Sequence, residues 1–309
     1  MITGNNPDDN LHKEARRGLF YGITAYLVWG FFPVFFKAIE SVPPLQVVSH
    51  RIAWSLLFLL LLTSRGGKWK EVKEALKDRR SMLLLASTAT LIAVNWLVFI
   101  VAVVQGQVLQ SSLGYFINPF VSVLLGMVFL KEQLSKLQLT SLILAVGGVI
   151  VLTISYGSIP LTALILALSF GSYGLLRKIV KTDALAGLTV ETLLLAPAAC
   201  AYLFVLYWKG EGTFLQADIR TNLLLISSGV LTAIPLLLFA ASARRLKLAT
   251  VGFLQYITPT MHFLLAVLVY NEQFTTLHLS GFLLIWSGLL CYSWDAWRTF
   301  STQRHASSS

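Results

Sequence analysis

Residues 117–139 read INPFVSVLLGMVFLKEQLSKLQL, and residues 257–279 read ITPTMHFLLAVLVYNEQFTTLHL. Both run proline, twelve residues, Glu-Gln, then Leu-x-Leu, at a constant offset of 140. The first copy carries Lys131 and Lys136 where the second carries Asn271 and Thr276. A duplicated segment that keeps its acidic residue and sheds its basic ones calls for a physical reason, and the rest of the chain supplies it.

The 309 residues are 56% hydrophobic and only 12% charged, with mean hydropathy +0.73. Soluble domains carry about 25% charged residues. Continuous apolar runs of the length needed to cross a hydrocarbon core recur along the chain. They lack the alternation of barrel strands, so the expected class is an all-α polytopic membrane protein. Ten transmembrane helices are expected near 18–36, 45–63, 81–104, 112–130, 137–155, 160–176, 187–208, 221–242, 249–270 and 277–295. Residues 1–17 are polar, and the first apolar run reads as a membrane anchor rather than a cleavable signal.

The net charge of +10 sits in short clusters between apolar runs, which argues against a nucleic-acid partner. With the N-terminus inside, the inner segments hold Lys13, Arg16 and Arg17, the seven cations from Arg65 to Arg80, Lys131, Lys136, Arg177, Lys178 and Lys181. They also hold Arg244, Arg245, Lys247, Arg298 and Arg304, whereas the outer segments hold Lys37, Lys209 and Arg220. This bias places both termini in the cytoplasm. The stretch RGGKWKEVKEALKDRR, residues 65–80, reads as a short amphipathic helix on the inner surface, its cations toward anionic lipid.

The offset of 140 also relates Phe99 to Phe239, Val108 to Leu248 and Gly148 to Gly288. At an offset of 144, AYLVWGFFPVFFK, ending at Lys37, loosely matches SFGSYGLLRKIVK, ending at Lys181. The expected organisation is a tail over 1–17, five-helix repeats over 18–155 and 156–296, and a tail over 297–309. Five spans per repeat force the second copy to enter the membrane the opposite way. The Lys131 loop then lies inside and the Asn271 loop outside; likewise Gln105 and Gln107 face out while Arg245 and Lys247 face in. Inverted repeats are a transporter architecture, with a midplane site exposed alternately to each side.

Two inverted sets of five helices resemble the EamA-type drug/metabolite transporters. NWLVFIVAVVQGQVLQSSLGYFINPFVSVLLGMVFLKEQLS from Asn95, with GFLQYITPTMHFLLAVLVYNEQF from Gly252, looks like the RarD branch of that family. The resemblance covers nearly the whole chain, and SLGYFINP is its most specific part. It implies a permease of the bacterial inner membrane, linked to chloramphenicol sensitivity or resistance. It also implies a central cavity lined mainly by the first, third, fourth, sixth, eighth and ninth helices. On those spans the candidate substrate-binding residues are Trp29, Asn95, Trp96, Tyr115, Asn118, Tyr173, Gln255, Tyr256 and Thr258.

Asn95 lies within a span, where an amide must meet another helix or a watery cavity. Tyr115, Asn118 and Pro119 precede a kink on the fourth span, and Gln255, Thr258 and Pro259 match them on the ninth. Each proline removes a backbone donor one turn after its acceptor, and matched kinks in two repeats point to a substrate site. His262 is the candidate proton-coupled switch, since an imidazole titrates near working pH, or it simply bonds a neighbouring helix. His50 and Glu191 are further coupling or gating candidates; Glu191 alternatively caps its helix. Arg51 lies about 9 Å in from Leu45 along the second span, where it either snorkels outward or faces the cavity as a binding group for an anionic substrate. Glu132 and Glu272 suit turns or N-caps of the helices that follow them.

No catalytic residue is expected, because no H-E-x-x-H, paired aspartates or Ser-His dyad appears. Cys200 and Cys291 lie in apolar runs without metal-ligand spacing and read as buried structural thiols, so no metal is expected. No phosphate-cradling loop is present and no cofactor is expected. The reading is a secondary carrier for a small organic solute, compatible with a monomer. A channel or uncoupled facilitator is the alternative class, followed by an intramembrane enzyme.

Overall fold

The computed structural model describes residues 7–104, 108–156, 161–269 and 276–306. The described chain is helical throughout. Its elements are α1 (Pro7–Gly30), α2 (Phe32–Ala38), α3 (Pro44–Arg65), α4 (Trp69–Lys77), α5 (Arg79–Val104), α6 (Val108–Leu130) and α7 (Lys136–Tyr156). There follow α8 (Leu161–Ile179), α9 (Ala184–Lys209), α10 (Ile219–Arg245), α11 (Leu248–Gln255), α12 (Ile257–Leu268) and α13 (Thr276–Ala306). Among the described residues, seven stretches are long and apolar enough to cross a membrane, in α1–α2, α3, α5, α7, α8, α9 and α10. A shorter apolar stretch, Gly114–Leu130, lies in α6. The ninth expected span is divided between α11 and α12 rather than continuous. Helix also begins earlier than the expected first span, at Pro7.

Local chemistry explains several boundaries. Asp183 and Asp218 cap α9 and α10, accepting from the backbone N–H groups of Leu185 and Thr221. Asp78 accepts from the N–H of Ser81 at 2.8 Å, which holds its carboxyl below the usual range and fastens the start of α5. Gly210 ends α9 in the left-handed conformation, φ 71°, and donates to Leu206 and Tyr207 carbonyls. Ser135 and Gln138 form a reciprocal capping box at the start of α7.

The outer surface is apolar, as expected where lipid replaces water: Leu57, Ile154, Phe204 and Trp208 are exposed. Cys200 is exposed on this surface and Cys291 is half-buried, so the expectation of two buried thiols is corrected. An apolar run marks lipid-facing positions as readily as core ones, because the hydrocarbon makes no distinction between them. No cluster of metal-ligating side chains occurs among the described residues.

In the interior, α3 packs between α9 and α10, α1 against α10, and α6 against α8 and α11. Helices α7 and α13 form a close pair. A Cβ on Gly148 would fall 2.6 Å from the Gly281 carbonyl oxygen, and one on Gly288 would fall 2.6 Å from that of Ser141. Since 148 and 288, and 141 and 281, are each 140 apart, the contact is reciprocal, as at a twofold axis.

One face of the bundle is laced with ion pairs. Glu14 meets Arg245 at 2.8 Å, Asp183 meets Arg244 at 3.7 Å, and Lys178 meets Glu132 at 3.8 Å. Glu132 does not cap the helix that follows it. Lys131 adopts a left-handed φ of 53°, which turns Glu132 back so that its carboxylate accepts from the N–H groups of Leu248 and Ala249, at 2.7 and 3.0 Å. It thus caps α11, a helix 116 residues away. The proximity of that helix's open N–H groups outweighs sequence adjacency. Glu272, Asn271, Gln105 and Gln107 lie outside the described residues.

Helix α4 bears out the amphipathic pattern, but its apolar side is taken by protein. Val72 and Ala75 are buried against Leu85, Val180, Ala186 and Val190.

Candidate functional site

The two interrupted helices face one another. Pro33 has no N–H for the Trp29 carbonyl, and α1 gives way to α2 at Phe31. Pro259 likewise has none for the Gln255 carbonyl, and α11 gives way to α12 at Tyr256. His262 places Nε2 3.2 Å from the Trp29 oxygen, filling the position of the donor that Pro33 lacks. Thr258 donates to the Tyr26 carbonyl at 2.9 Å, and the Tyr26 hydroxyl returns a bond to the Val251 carbonyl at 3.2 Å. His262 on α12 thereby meets the carbonyl that Pro33 leaves without a donor, and Thr258 adds a second tie to α1.

Beside this junction is a cavity of about 310 Å³. Of the substrate-binding residues expected from sequence, Trp29, Arg51, Asn95, Trp96, Tyr115, Asn118, Gln255 and Thr258 line it, joined by His262 and Pro259. Tyr173, Tyr256, His50, Glu191 and Pro119 do not. Tyr173 sits one layer back, stacked on Phe239 at 5.8 Å, behind the lining residues Trp29 and Phe170. Tyr256 is buried at the α11–α12 break beside Phe253. His50 is buried with its ring 5.0 Å from that of Phe214. Glu191 belongs to the ion-paired end: it meets Arg177 at 3.1 Å and accepts from Thr88 and Tyr173, while Asp183 caps the helix in its place.

The polar lining residues differ in how far they are already satisfied. Asn95 donates to the Leu166 carbonyl and to the Ser169 hydroxyl, both at 2.9 Å, so it links α5 to α8 while facing the cavity. The Tyr115 ring stands edge-on to His262, 5.9 Å between centroids. Asn118 is 3% exposed, and its Oδ1 has no hydrogen-bond partner. Such an orphan is costly in a low-dielectric interior. Arg51 enters the cavity rather than snorkelling to the interface: Nε donates to Thr232 at 2.8 Å, and Cζ lies over the Trp96 ring at 5.1 Å.

Sequence reasoning overlooked Thr232, Tyr26, Phe36, Phe99 and Phe170, all of which line the cavity. Pro33, four residues after Trp29, was the available signal for the first break and hence for Tyr26 and Phe36. A lone threonine on α10 carries no comparable signal.

Profiles of the family described as "EamA-like transporter family" match this chain twice, over residues 16–154 and 157–294. The chain belongs to the EamA-like transporter family. It is a RarD-type permease by similarity. An uncharacterized transporter of Vibrio cholerae serotype O1 is 44% identical over 297 residues, covering 95% of this chain and 97% of its own. The protein RarD of Escherichia coli K12 is 42% identical over 295 residues, covering 96% and 99%. A protein of known crystal structure shares the fold, with TM-score 0.67 at 17% identity over 89% of this chain and 96% of its own. The chain is therefore a multi-pass membrane transporter. Its cavity draws on both matched segments: lining residues of α1, α2, α3, α5 and α6 lie in the first, and those of α8, α10, α11 and α12 in the second.

Proposed function

We propose that this EamA-family permease is a secondary carrier for a small organic solute in the bacterial inner membrane, working by alternating access. The observation that carries the reading is the cavity shared by the two family-matched segments, with aromatic walls and few, convergent polar groups. Ten membrane crossings arranged as two inverted sets of five accord with the reciprocal Gly148–Gly281 and Gly288–Ser141 contacts. Rocking one set against the other would open and close the ion-paired face. Both termini lie in the cytoplasm on this reading, because that face carries most of the cations. The exposed lysines of α4 contact anionic lipid there while its apolar side stays docked on protein.

Trp29, Arg51, Asn95, Trp96, Tyr115, Asn118, Gln255 and Thr258 form the solute site, and the α1–α2 and α11–α12 breaks are its hinges. His262 is the coupling candidate, since it alone of His262, His50 and Glu191 lines the cavity. The resemblance to RarD-type permeases extends to a chloramphenicol phenotype, read out by susceptibility of cells with and without the protein. Counterflow in proteoliposomes tests the carrier. Unlabelled solute on the far side should accelerate uptake of labelled solute; saturable trans-stimulation is expected, and uptake indifferent to trans solute would mean a pore. A chemically altered solute would mean an enzyme.

A further inference from the structure

Two arginines lie inside the bundle, and they are treated differently. Arg177 is fully buried and meets the Glu191 carboxylate at 3.1 Å. Among the described residues, Arg51 has no carboxylate partner and no Asp or Glu lines the cavity it faces. Its Nε is spent on Thr232, and the rings of Trp96, Phe36 and Phe32 lie 5.1, 5.5 and 5.7 Å from Cζ. Rings cover the guanidinium faces, but they leave its two in-plane Nη groups without an anionic acceptor. A guanidinium held at one edge by a hydroxyl presents the opposite edge as a fork, the geometry that binds a carboxylate through two parallel bonds.

We propose that the solute is an organic monocarboxylate with an aromatic or aliphatic body, its carboxylate docked on the Nη edge of Arg51. This rests on the cavity being the solute site. Arg51 is the one Lys or Arg among the described lining residues, and it suits one carboxylate. The aromatic walls receive the body, and the volume of about 310 Å³ sits at the lower end for small-molecule sites.

The test uses full-length protein in lipid nanodiscs, with phenylacetate, 4-hydroxyphenylacetate and 3-phenylpropionate as probes, each against its uncharged primary amide. Calorimetry at neutral pH should show the carboxylates binding at least tenfold more tightly than the isosteric amides. Arg51→Gln should erase that preference, so that acid and amide bind alike. Thr232→Val, which frees the guanidinium without removing its charge, should lower the preference partway and guards against misfolding of the first variant. Equal binding of acid and amide, absence of carboxylate binding, or a preference that survives Arg51→Gln would overturn the assignment. Counterflow separates this from the carrier reading. Trans-stimulated movement of the amide by the unsubstituted protein, with the acid bound no more tightly, sinks the anion and keeps the carrier, whereas tight carboxylate binding without trans-stimulation does the reverse.

Discussion

Pro119 and Pro259 occupy corresponding places in the two family-matched segments, yet α6 runs through Pro119 unbroken while the chain before Pro259 is divided into α11 and α12. Each proline withholds a donor from the residue four before it, Tyr115 in one case and Gln255 in the other. The proline alone therefore does not decide the break. What differs is the company. On α12, Thr258 and His262 are engaged with carbonyls of α1, itself interrupted ahead of Pro33. On α6, Asn118 stands where Thr258 stands, and its side-chain Oδ1 is left without a partner. The same ancestral position has become a structural tie in one half and a buried, unpaired acceptor in the other.

The sharpest way to break this comparison is at the place where the two helices touch. A Cβ on Gly252 would fall 2.8 Å from the Pro119 carbonyl oxygen, so Gly252→Leu must push α11 away from α6. We expect loss of several kcal/mol or of the folded protein altogether, read by fluorescence-detected size exclusion in detergent. Gly147→Leu, with nothing within 4 Å of its Cβ position, should behave like the parent; equal damage from both would remove the contact from the explanation.

A smaller effect separates the prolines. Pro259→Ala restores a donor where the chain is interrupted and should favour a continuous helix. Solute exchange should fall about tenfold, equivalent to about 1.4 kcal/mol. Pro119→Ala should have less effect, because α6 is already continuous. Equal rates for the two variants would show that the break does not contribute to transport.

The smallest expected change is at His262. Removing its bond to the Trp29 carbonyl with His262→Ala should lower stability by about 1 kcal/mol in thermal unfolding. His262→Gln, which retains a donor without an imidazole, should recover that loss and flatten the pH profile of transport. A profile identical to the parent would end the coupling role while leaving the structural one intact.

Much of this molecule was legible from its residues. Apolar runs and loop cations announced a membrane bundle, and the offset of 140 announced the duplication, because both are periodic and need no contacts to be read. Polar side chains within apolar runs marked most of the site, since a polar group in hydrocarbon needs a partner. Tyr173, Glu191 and His50 looked equally eligible and lie elsewhere, because the same rule is met by partners in the core: Glu191 for Tyr173, Arg177 for Glu191, and the Phe214 ring beside His50.

Sequence by itself determined that helices form, that they are apolar, and that they come in two related sets. Tertiary structure alone decided which proline becomes a break, which carboxylate caps which helix, and which arginine is left unpaired. Those outcomes depend on donors and acceptors brought together from residues more than a hundred positions apart, as when Glu132 caps α11 and Thr232 holds Arg51. Local sequence carries no record of such distances, and only the folded bundle settles them.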